Sequence, residues 1–207
     1  MSLTISANQV AALIANPNSF SGYSPTGSVE ITGQISVAEA TQLNALAATS
    51  IIATVAEDTA ANLAAIPVNN TTRTSLNAFS FTVSDLTATA ATLNAVKAIT
   101  SVAPTFKVTT ISASPAADIV SLYTGTNASL GNEAVNINDS NLSAAQLNTI
   151  NDATDGAVTA TATNITGTGA DIKTALDAAA TNAITLNRND ADDANEVNVT
   201  TSDTTIA

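Results

Sequence analysis

The stretch Ile35 to Ile66, ISVAEATQLNALAATSIIATVAEDTAANLAAI, reads as strand, helix, strand, helix, and it sets the pattern for the chain. Ser36 stands three residues before Glu39, the spacing of a reciprocal cap in which the hydroxyl takes a backbone N–H and the carboxylate reaches back. Val37, Ala40, Leu43 and Leu46 or Ala47 then share one helical face. The β-branched run of Ile51, Ile52 and Val55 predicts a strand, and Asp58 is placed to cap a second helix carrying Ala61, Leu63 and Ile66.

Similar units recur along the chain. Ser6 with Gln9 opens a helix to about Ala15, and the Pro, Gly, Ser and Asn of residues 16–27 read as a loop. Strands are expected at 79–83, 106–111, 134–137, 158–165, 184–186 and 197–199. Helices are expected to open at Ser84 or Asp85, at Ser114-Pro115, at Ser143 and at Thr168, the last burying Ile172 and Leu176. Helix starts thus fall near 6, 36, 58, 84, 114, 143 and 168, in steps of 30, 22, 26, 30, 29 and 25 residues. One strand plus one helix per step predicts an α/β repeat solenoid of short parallel strands alternating with Ala-rich helices. Its coil is right-handed, the sense that parallel crossovers take. An open α/β sheet with a ligand crevice is the competing architecture. The expected organisation is a single domain over 1–207: cap and loop at 1–27, strand-helix repeats at 28–195, and a strand or tail at 196–207.

Composition fits stacked layers. Hydrophobic residues make up 45% of the 207 residues but aromatics only 3%, so the core must be filled by small aliphatics, which requires close and regular backbone approach. A net charge of −12 would repel a phosphate backbone, arguing against nucleic acid as a partner. No run has the length and apolarity of a membrane span. The N-terminus, MSLTISANQV, lacks the basic and apolar segments of a secretory signal peptide.

Three segments, SVAEATQLNALAA (36–48), DTAANLAAI (58–66) and SAAQLNTI (143–150), resemble repeat units of large secreted cell-surface proteins of bacteria, of the cyanobacterial type. The resemblance implies an extracellular or cell-surface location and export by a type I system that reads an uncleaved C-terminus. It also implies frequent association with calcium.

Chemistry has few carriers here. With no His and no Cys, a nucleophile–histidine arrangement is impossible, and the expectation is a protein that is not an enzyme, with no catalytic residue and no cofactor beyond calcium. The calcium candidate is NRNDADDANE (187–196). There Asp190, Asp192, Asp193, Asn195 and Glu196 gather hard oxygens, against the alternative of a solvated acidic turn. Asn136, Asn138, Asp139 and Asn141 form a second, sparser set. The terminal segments are Thr-rich, weakly charged and β-prone, the profile of strands that join through their edges. Leu3, Thr4 and Ile5 at one end, and Val197, Val199 and Thr201 at the other, are the candidate self-assembly residues. The expected partner is therefore a second copy, head to tail, in a structural filament, matrix or surface layer. The alternative is an adhesin or phage-fibre-like binding module that shows the loops at 16–27 and 124–133, with Phe20, Tyr23 and Tyr123, to a glycan or receptor.

Overall fold

The computed structural model describes residues 2–46, 50–68, 75–124, 129–181, 183–187 and 197–203. It is a mixed α/β fold. Strand β1 (Ser2–Ser6) leads through a short 3-10 turn into α1 (Val10–Ala15), β2 (Ser28–Ile35) into α2 (Val37–Leu43), and β3 (Ile51–Val55) toward α3 (Ala60–Ala64). Next come β4 (Ala78–Ser80), β5 (Thr82–Val83), β6 (Thr87–Thr89) and α4 (Ala90–Ile99), then β7 (Thr105–Phe106), β8 (Thr110–Ser114) and α5 (Ala116–Tyr123). Strands β9 (Ala134–Ile137) and β10 (Asn141–Ser143) precede α6 (Ala144–Ala153). Strands β11 (Val158–Thr161) and β12 (Asn164–Gly167) precede α7 (Gly169–Ala180), followed by β13 (Ile184–Asn187) and β14 (Asn198–Thr201).

The chain divides into two compact units, Met1–Asp85 with Thr92–Lys107, and Leu86–Ala91 with Val108–Ala207. In the first, the sheet order is β1-β2-β3-β4, with β5 and β7 paired separately. In the second, one sheet runs β13-β11-β9-β8-β6 and another β10-β12-β14. Among the described residues every pairing between these strands is parallel, and strands follow one another across each sheet in sequence order. The register advances by similar steps. Leu3 lies beside Val29 and Val29 beside Ile51 in the first unit; Ile111, Val135, Val158 and Ile184 form one row in the second.

These rows are the core. Val29, Ile51, Ile111, Val135, Val158 and Ile184 are all buried. The helices cover them with a stripe at every third residue, such as Ala60, Leu63 and Ile66, or Ala116, Ile119 and Leu122, or Ala144, Leu147 and Ile150, each member almost fully enclosed. On helices of two to three turns, positions i, i+3 and i+6 stay on one face, and alanine at the first of them lets the helix start sit close to the strand before it.

Several expected elements take a different form. The strand at 79–83 is split into β4 and β5, and that at 158–165 into β11 and β12, because the chain turns a corner within each. The expected strand at 106–111 is likewise interrupted, between β7 and β8; there and after β11 the buried positions step by three, from Val108 to Ile111 and from Ala162 to Ile165, whereas Phe79, Phe81 and Val83 keep strict alternation across the β4–β5 break. No helix opens at Ser84 or Asp85; β6 intervenes, Leu86 is exposed, and α4 starts at Ala90. In α3 the buried alanine is Ala60, not Ala61, and in α7 it is Ala175 that is buried while Leu176 is 41% exposed. Gly33 (φ +93°) lies where the β2–β3 register shifts between Glu30 and Gln34, a bulge whose left-handed residue suits glycine.

The helix starts explain why. Ser36 and Glu39 do form the reciprocal cap, with Ser36 N donating to Glu39 Oε2 at 2.8 Å and Glu39 N donating to Ser36 Oγ at 3.2 Å. The local cap of α3 is Thr59, in place of the expected Asp58, and that of α7 is Thr168; at four helix starts a further acceptor comes from a residue one register step later in the chain. Ala60 N donates to Asp85 Oδ2 (2.5 Å), Ala90 N to Ser114 Oγ (3.0 Å), Ala116 N to Asp139 Oδ2 (2.5 Å) and Gly169 N to Asp203 Oδ2 (2.7 Å). Each satisfies an amide that a helix start leaves without an intrahelical acceptor. Asp85 and Ser114 therefore serve the preceding helix and not one of their own.

Candidate functional site

The terminal strands carry the residues that the sequence singles out for self-assembly. Strand β1 is paired along its length with β2, and its side chains alternate: Leu3 and Ile5 are buried, and Thr4 is exposed with its hydroxyl 3.5 Å from a Glu30 carboxylate oxygen. Strand β14 differs. Its four residues are all exposed, including Thr201, and Val197 just before it is half-buried. Val199 lies in register with Ile165, which lies in register with Leu142. Leu142 and Ile165 are fully buried, whereas Val199 is 47% exposed. The row that forms core at β10 and β12 is thus uncovered at β14.

The calcium candidates Asp190, Asp192, Asp193, Asn195 and Glu196 lie outside the described residues. Among the described residues no group of three or more acidic, His or Cys side chains is gathered as a metal would require. The second oxygen-rich set is used internally. Asp139 caps α5, Asn136 Nδ2 donates to the Ile111 carbonyl (3.3 Å), and Asn164 Nδ2 donates to Asn141 Oδ1 (3.4 Å).

Sequence reasoning missed a buried polar cluster in the second unit. Glu133, only 3% exposed, immediately precedes β9. Its Oε2 accepts from the amides of Gly131 (2.8 Å) and Asn132 (3.2 Å), and its Oε1 accepts a short hydrogen bond from the Tyr123 hydroxyl. Thr154 Oγ1 donates to the Glu133 carbonyl (2.8 Å) and accepts from Gly156 N (3.0 Å). Gly156 packs so tightly that a Cβ there would lie 2.2 Å from the Glu133 carbonyl oxygen. Burial raises the pKa of Tyr123 well above the usual phenol range; the hydrogen bond to Glu133 and its charge add to the shift, and Thr154 partly opposes it. Beside this cluster Asn151, Thr154, Asp155, Gly156, Ala157 and Ala183 line an open polar hollow of about 480 Å³.

Both oxygens of the Glu133 carboxyl are thus engaged by donors of the protein itself, and the arrangement ties the 131–133 turn to the end of α5. The only sequence signal was a lone acidic residue directly before a strand in a charge-poor segment, LGNEAVNI. Of the loop aromatics, Phe20 and Tyr23 are half-buried, and Tyr123 spends its hydroxyl on Glu133. No described helix is long and apolar enough to cross a membrane. No protein-family model matches the chain, and no match is found among curated proteins or among solved structures.

Proposed function

We propose that this chain is a non-enzymatic structural protein, secreted to the cell surface or beyond by a type I route, that assembles with copies of itself into a filament, matrix or surface layer. Each unit is in this reading a run of solenoid coils. The regular advance of the parallel registers supports it, with pairs such as Thr82 and Thr105, Thr87 and Thr110, or Val135 and Val158 standing 23 residues apart (105−82, 110−87, 158−135). A coil buries its face against the next one, so a terminal coil is completed only by a further layer.

The observation that carries the assembly is the half-exposed Val199 at the end of an otherwise buried row. Covering it with the N-terminal strand of a second copy would extend the sheet and enclose the valine, and strand β1 offers its outer edge for that pairing. Calcium, if it serves the assembly, would be taken by the carboxylates of 190–196, whose charge it would neutralise. Adhesion through the 16–27 loop has the half-buried Phe20 and Tyr23 in its favour, and selective binding on a glycan array would establish it.

The test is removal of residues 197–207, with the products viewed by negative-stain electron microscopy in calcium and in chelator. The full chain should form ordered filaments or sheets, and the truncated chain should remain a folded monomer. Polymers that persist after the deletion, or dispersed particles of the full chain in both conditions, would overturn the proposal.

A further inference from the structure

The last described layer of the second unit has an open side. Strand β13 ends the five-stranded sheet and β14 ends the three-stranded one. Helix α7 belongs to the same layer. Among the described residues Leu176 is the large apolar side chain that a helix leaves exposed, at 41%.

The direction that Leu176 faces follows from the helices before it. The core stripe of α6 includes Leu147 and Ile150, and that of α7 Ile172 and Ala175. Asn148, one position after Leu147, donates from Nδ2 to the Asp171 carbonyl at the start of α7 (3.0 Å). The flank one position beyond the stripe therefore faces the next layer. Asn44 repeats the arrangement after Leu43, its Nδ2 donating to the Pro67 carbonyl beyond α3 (2.9 Å). On α7 the same flank carries Lys173 and Leu176, and no described helix follows to cover it.

The surface that such a flank meets lies one position before the stripe, as Asp171 does on α7. On α1, whose stripe is Val10 and Leu13, that side carries Gln9 and Ala12, both exposed. Strand β1, in the same layer, ends its own sheet. Residues 1–29 contain no Asp, Glu, Lys or Arg, in a chain of net charge −12. Two copies with that charge repel each other, and a first layer without charged side chains removes the repulsion where they would touch. On the α7 flank Lys173 is paired with Asp177 at 2.5 Å, so Leu176 stands beside a neutral pair. Alanine at position 12 leaves room for the leucine.

We infer that Leu176 of one copy packs on Ala12 of a second, so that α1 of the second copy follows α7 as α7 follows α6. The inference rests on head-to-tail assembly and extends the joint from the strands to the helices.

The chain has no cysteine, so a pair can be introduced without background. Full-length Leu176→Cys and Ala12→Cys, mixed and oxidised, should give a disulfide-linked dimer that neither forms alone, since a bridge needs Cα atoms within about 7 Å. Leu176→Asp should raise the protein concentration at which filaments or sheets first appear by about tenfold or more, because a leucine can no longer be buried there. Thr149→Asp, on the exposed face of α6, adds the same charge and should leave that concentration unchanged. Wild-type assembly without a mixed disulfide would overturn the inference and leave the strand joint in place. So would assembly of folded Leu176→Asp at the wild-type concentration. A wild-type chain that stays dispersed would overturn head-to-tail assembly and the inference with it.

Discussion

Phe79 in the first unit and Glu133 in the second occupy equivalent places in the same backbone lattice. Adding 54 to each number of the first set gives the second: Phe79 to Glu133, Thr100 to Thr154, Ser101 to Asp155 and Val102 to Gly156. In the first unit Thr100 Oγ1 donates to the Phe79 carbonyl (2.6 Å) and accepts from Val102 N (3.0 Å). In the second, Thr154 Oγ1 donates to the Glu133 carbonyl (2.8 Å) and accepts from Gly156 N (3.0 Å). The hydrogen-bond frame is the same, yet one side chain is a core aromatic packed on Phe81 with ring centroids 5.8 Å apart, and the other is a buried carboxyl group. Backbone and threonine therefore build the frame. What fills it is decided locally: Glu133 is tolerated because a tyrosine and two amides converge on it, and a buried charged group without such partners would be strongly destabilising.

The sharpest way to break the equivalence is at the glycine. Gly156→Val puts a branched side chain where even a Cβ meets the Glu133 carbonyl at 2.2 Å, so about 3 kcal/mol or more of stability should be lost in urea unfolding. Val102→Gly, at the equivalent place, should cost only about 1 kcal/mol from backbone entropy.

Next in size are the two fillers. Phe79→Ala should cost about 3–5 kcal/mol through the lost packing and the cavity. Glu133→Ala should cost about 1–3 kcal/mol for each donor left buried and unpaired. Replacing the hydrogen-bonded pair by apolar groups together, Glu133→Leu with Tyr123→Phe, should recover much of the loss, as paired removal of a buried polar contact often does. A double variant as unstable as Glu133→Ala would show that the carboxyl group does more than satisfy its donors.

The shared element should respond alike in both units. Thr100→Val and Thr154→Val should each lower stability by about 1–2 kcal/mol, since each strands one carbonyl and one amide. Unequal losses would mean that the frame is equivalent in geometry alone.

The smallest effect at neutral pH distinguishes the fillers by titration. The pKa of Tyr123 is raised above its ordinary 10.0 in the folded protein, so its contribution is complete below pH 10 and is lost as pH rises beyond that. Wild type should lose stability above pH 10 more steeply than Tyr123→Phe, in melts recorded from pH 8 upward. Parallel curves would remove the tyrosine from the account.

How far the fold is legible in the sequence follows from the range of the interactions involved. The stripes at Ala40 and Leu43, Leu63 and Ile66, and Leu147 and Ile150 show in the sequence because helical periodicity needs only neighbours along the chain. The same holds for the caps of Ser36 with Glu39 and of Thr168, whose Oγ1 accepts from Asp171 N. The caps supplied by Asp85, Ser114 and Asp139 join residues 23 to 25 positions apart, and a local window assigns Asp85 and Ser114 to the wrong helix and Asp139 to an oxygen-rich set. The Glu133 cluster is hidden for the same reason: Tyr123 and Thr154 reach it only through the stacking of strands.

By itself, then, the amino-acid sequence determined the alternation of short strands with alanine-rich helices, the aliphatic character of the core and the absence of histidine and thiol chemistry, because all of these depend on residue type and local spacing. The tertiary structure alone decided where each strand breaks at a corner, which acidic side chain caps which helix, which glutamate is buried and which valine is left half in water. Those outcomes depend on what the next layer of the sheet places alongside, and a residue's own neighbours in the chain do not specify that layer.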